Sequence, residues 1–147
     1  MVSYCFFFMC FSILKEGISK NAPKKVCKTC EDIITLGESI NDRIKSPSGL
    51  SEDFIEDIQI CYESIEKIMD GIKVNNTICI HDFFKIKSTG GPAHLLLYPV
   101  SAAPLATFYE WDSFTTWQFR GLMKYTWVLW QDMEDYITEH HICNPSS

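Results

Sequence analysis

Between positions 31 and 72 apolar residues return every three or four places. Ile33, Leu36, Ile40 and Ile44 share one face of a helix predicted over 31–45. Glu31 and Asp32 open that helix, where negative charge complements the helix dipole. Ser46-Pro47-Ser48-Gly49 reads as a turn. A longer helix is predicted over 51–73, with Phe54, Ile58, Cys61, Ile65, Ile68 and Ile72 along one stripe. Ser51 is its predicted N-cap, with Glu52 and Asp53 in the first turn. The short turn makes the two helices antiparallel neighbours. Neither can bury its stripe alone, and a shorter element at 79–87 carrying Phe83 and Phe84 offers part of the missing surface.

Beyond Lys87 the pattern changes. Gly90-Gly91-Pro92, Pro99 and Pro104 break helical periodicity, so 88–106 reads as a Gly/Pro-rich linker or arm, with Leu95-Leu96-Leu97-Tyr98 as a brief strand ended by Pro99. All 4 tryptophans lie after it, in an aromatic-rich tail at 107–147. Gly121 interrupts a weak helical pattern there, which predicts one or two helices within 107–141. From Gln131 onwards Met133, Tyr136 and Ile137 oppose Asp132, Glu134, Asp135 and Glu139. The predicted class is all-α: a small, disulfide-stabilised helical bundle at 20–87, the irregular arm, and the helical tail.

Composition narrows the range of functions. A chain of 147 residues is one domain, or one domain with an appendage. A formal net charge of −6 and the lack of a basic stripe exclude nucleic acid as a partner. The apolar run at 4–14 is too short for a bilayer, which takes ~20 residues, and suits the core of a signal peptide. Gly17 and Ser19 place cleavage after residue 19, so the expected destination is secreted or lysosomal. Cleavage leaves Cys27, Cys30, Cys61, Cys79 and Cys143, an odd set that allows one free thiol or a covalent homodimer. Asn75-Asn76-Thr77 is a glycosylation sequon at Asn75.

Cys27-Lys28-Thr29-Cys30 can serve as a redox pair, as half of a zinc site, or as two half-cystines. A redox pair ordinarily follows a strand, and none precedes Cys27. Zinc needs a second pair at finger spacing, which Cys79-Ile80-His81 and His140-His141-Ile142-Cys143 do not provide. Structural disulfides drawing on Cys27, Cys30, Cys61, Cys79 and Cys143 are therefore expected, with the pairing open and with no metal or other cofactor. Catalysis finds no motif: the chain has no nucleophile elbow, phosphate loop or His-Glu-x-x-His.

The order Cys27-x-x-Cys30, an amphipathic helix with Ile33 and Ile40, a turn, and a second helix containing Cys61 resembles the first half of a saposin B-type domain over about 26–79. The match departs at Cys79, which stands farther behind Cys61 than in that family, and at the closing cysteine pair, for which only Cys143 is present. The resemblance implies helices that open their apolar faces to bind or disturb lipid without covalent catalysis. Ile33, Ile40, Phe54, Ile58 and Ile65 are then the expected lipid-binding residues, joined by Trp127 and Trp130 of the tail, since Trp settles at membrane interfaces. The rival expectation is a secreted helical interaction module, cytokine-like or effector-like, whose apolar faces close into a core and whose target is a protein.

Overall fold

The structure, a computed structural model, describes residues 29–91 and 100–145. Among these residues it is all-helical. The elements are α1 (Cys30–Lys45), α2 (Ser51–Lys73), α3 (Thr77–Ser88), α4 (Ala103–Phe108) and α5 (Ser113–Glu139). The signal peptide, its cleavage position, Cys27 and the brief strand expected at 95–98 lie outside the described residues.

Local chemistry accounts for the helix starts. Thr29 and Asp32 form a reciprocal capping box at α1, with Asp32 N–H donating to Thr29 Oγ1 at 3.2 Å and Thr29 N–H donating to Asp32 Oδ2 at 3.0 Å. Asn76 Oδ1 accepts from the amides of Ile78 and Cys79 at the start of α3. Asp112 Oδ1 accepts from Thr115 N–H at 2.7 Å at the start of α5. α2 differs from expectation: its N-cap is Leu50, without a side-chain bond. The Ser51 hydroxyl instead accepts from the Trp111 indole N–H, because the tail folds back over this turn.

α2 is the central helix and packs against α1, α3 and α5. That explains why its buried arc is broader than one stripe: Ile55, Ile60 and Met69 are buried beside Phe54, Ile58, Cys61, Ile65, Ile68 and Ile72. Each isoleucine so buried stabilises the fold by about 1.5–3 kcal/mol. The third apolar surface is α5, which covers α2 with Phe119, Leu122, Met123, Trp130, Met133 and Ile137. α3 adds Ile80, Phe83 and Ile86, and Phe83 stacks on Trp130 with centroids 5.1 Å apart.

Two sequence expectations are corrected. The arm at 88–106 contains the start of a helix, since α4 begins at Ala103 and holds Pro104 in its first turn, where a missing N–H costs nothing. Gly121 does not interrupt α5, which runs unbroken for 27 residues. A mid-helix glycine costs only about 1 kcal/mol, and the buried face on either side exceeds that.

The candidate functional site, an outer aromatic surface

Trp111 and Tyr109 position this surface. The α4–α5 connection lies on the α1–α2 turn, where Tyr109 Oη donates to Ser48 O at 2.7 Å and Ser48 N–H donates to Tyr109 Oη at 3.3 Å. Phe54, Tyr109, Trp111 and Phe119 stack beneath it, with centroids 5.2–6.2 Å apart. Arg43 lies over the Phe54 ring at 4.9 Å and pairs with the nearly buried Asp57. Ring contacts and hydrogen bonds between elements thus hold this end of the bundle, and it carries apolar side chains that the core does not use. Leu50 is 65% exposed, Phe108 54%, Phe114 56% and Trp117 52%. Phe114 and Trp117, one helical turn apart, touch at 6.0 Å.

The electrostatics of this end are acidic. Glu52, Asp53, Glu110 and Asp112 are exposed around it, with Lys45 as the nearest exposed cation of the α1–α2 turn. The amide and hydroxyl of Thr115 hold the Asp112 carboxyl below its ordinary range. The rim therefore keeps that charge in mild acid.

The expected lipid-binding residues fall elsewhere. Ile33, Ile40, Phe54, Ile58, Ile65 and Trp130 are buried in the core, and Trp127 is half-buried. Sequence periodicity located their stripe correctly but could not say which helices would close over it. The exposed Phe114 and Trp117 went unnoticed among the tail's aromatics. The available signal was helical phase, since both stand across from Phe119 on a single continuous helix.

No disulfide joins Cys30, Cys61, Cys79 and Cys143 to one another, and Cys27 lies outside the described residues. The helices give each sulfur different surroundings. Cys30 Sγ donates to Asp82 O at 3.7 Å on α3, while Cys61 is wholly buried in the core. Cys79 packs against Gly71, and Cys143 lies exposed beyond α5 with its Sγ near His141 O. Burial, followed by the charge of Asp82, raises the thiol pKa of both Cys30 and Cys79. No group of three or more His, Cys, Asp or Glu residues among those described is arranged to hold a metal. Asn75 is exposed at positive φ (56°) in the α2–α3 turn, with Thr77 also exposed, at the far end of α2 from the aromatic surface.

No described helix is long and apolar enough to cross a membrane. Comparison of the chain with known protein families, with curated proteins and with solved structures finds no match.

Proposed function

We propose that this is a secreted, non-catalytic helical interaction module that engages a partner protein through its outer aromatic end. The observation that carries the reading is the division of apolar residues. The amphipathic stripes are closed into a core, whereas Leu50, Phe108, Phe114 and Trp117 stand outside it. Exposed aromatics on fixed supports are the usual anchors of protein interfaces. The carboxylates of Glu52, Asp53, Glu110 and Asp112 fit a partner that presents an apolar side chain ringed by Lys or Arg.

A saposin-like lipid-binding function is the second reading, favoured by the same Trp117 and Phe114, since aromatic rings also settle at membrane interfaces. It requires docking by this end or opening of the buried stripes. Secretion, disulfide formation through Cys27 and glycosylation at Asn75 belong to both readings.

Vesicle co-sedimentation separates them. With neutral and with anionic vesicles, the protein is expected to stay in the supernatant. Retention that Trp117→Ala abolishes would overturn the protein-partner reading in favour of lipid. A photo-crosslinker at position 50 is then expected to label one defined protein from the secreted fraction, with the yield falling several-fold in Trp117→Ala.

A further inference from the structure

The outer face of α5 carries an ordered set of charges that the monomer does not use. Arg120 and Lys124 are exposed on it, Val128 follows at 40% exposure, and Asp132 and Asp135 come next, also exposed. Lys124, Val128, Asp132 and Asp135 project from the side opposite Phe119, Trp130 and Ile137, and Arg120 lies on its flank. Among the described residues none of the four charged groups has an ion-pair partner, although other α5 and α3 charges do, such as Lys87 with Glu134 at 3.2 Å.

The sequence of signs is antisymmetric about Val128. Lys124 and Asp132 stand one turn on either side of it, and Arg120 and Asp135 two turns on either side. A two-fold axis beside Val128 that sets two copies of α5 antiparallel brings Lys124 against Asp132 of the second copy. It also brings Arg120 against Asp135 of the second copy, on the same flank. Each pair occurs twice, as an isologous interface requires. Parallel pairing would set like charge on like charge. Antiparallel pairing also opposes the helix dipoles.

Gly121 fits the same arrangement. A Cβ there would meet only Tyr125, with its nearest atom at 3.6 Å, so nothing in the monomer's packing calls for glycine. At that position the bare backbone lets Asp135 of the second copy come close beside Arg120.

We propose that the protein forms a two-fold symmetric homodimer through the outer face of α5, with the two helices antiparallel and crossing at Val128. The net charge of −6 on each copy opposes association through other faces, so the charge pattern of α5 sets both partner and register. This surface lies along the helix from the aromatic end, and the proposal goes beyond the target-binding reading.

Sedimentation velocity over a concentration series tests it. The wild type is expected to dimerise, more weakly at high salt. Arg120→Glu with Lys124→Glu should weaken the dimer at least about tenfold. Adding Asp132→Lys and Asp135→Lys, which exchanges the signs, should restore it. A wild type that is monomeric at the highest concentration reached overturns the proposal, as does a dimer indifferent to both charge reversal and exchange. If Arg120→Glu with Lys124→Glu instead lowers vesicle retention and leaves sedimentation unchanged, the face takes lipid and the proposal fails. Neither sedimentation result bears on the crosslinking at the aromatic end, so the two readings fail separately.

Discussion

Arg43 ties α1 to α2 at two points. It leaves α1, lies over Phe54, and pairs with Asp57 one turn farther along α2. Removing one partner of a nearly buried pair takes away the main compensation for the other's desolvated charge. Arg43→Ala is therefore expected to cost about 3 kcal/mol, measured by urea denaturation. Tyr62 is a second informative residue. Half-burial, reinforced by the adjacent carboxylate of Glu66, pushes its phenol from the ordinary 10 up to about 12. A raised pKa means the folded state holds the proton more tightly than the unfolded state does. The stability this provides is fully present below pH 10 and is lost as pH rises from 10 through about 12. Absorbance titration of the tyrosinates should show a late phase near pH 12 that Tyr62→Phe removes. A single phase near the ordinary value in the wild type would contradict it.

At the scale of elements, two helical glycines separate local propensity from tertiary contact. Gly121 is in the middle of α5 with room for a methyl group within the single chain, so at concentrations where the protein is monomeric Gly121→Ala should stabilise the fold by about 1 kcal/mol and raise the melting temperature. Gly71 is in α2 where Cys79 of α3 crosses, and a Cβ there would collide with the Cys79 side chain. Gly71→Ala should cost about 1–3 kcal/mol, with partial recovery in a Cys79→Ala background. The helices themselves were legible in the sequence: the periodicity of 31–45 and 51–73 agrees with α1 and α2 to within a residue. α4 was not, because Pro104 reads as a breaker until a first turn is seen to place it. The Ser51 cap was misread because Trp111, distant in sequence, takes its hydroxyl.

For the whole molecule, α5 decides whether the bundle is closed. Phe119, Trp130 and Met133 are buried in the core that covers the stripe of α2, with Phe119 against Phe54 and Trp130 stacked on Phe83. A chain ending after Gly91 should consequently lose cooperative thermal unfolding and bind a hydrophobic dye, as seen by circular dichroism and dye fluorescence. A truncated chain that melts like the full one would contradict the packing. The sequence by itself determined the helical class, the bounds of the first two helices and the residues of their apolar stripes, because 3.6-residue periodicity is a local property. Only the tertiary structure decided that those stripes face the tail, that Cys30, Cys61, Cys79 and Cys143 are not joined to one another, and that Phe114 and Trp117 are left outside. Those outcomes depend on which faces of distant segments meet. Apolar burial is non-directional, so a stripe records that it must be covered without recording by what.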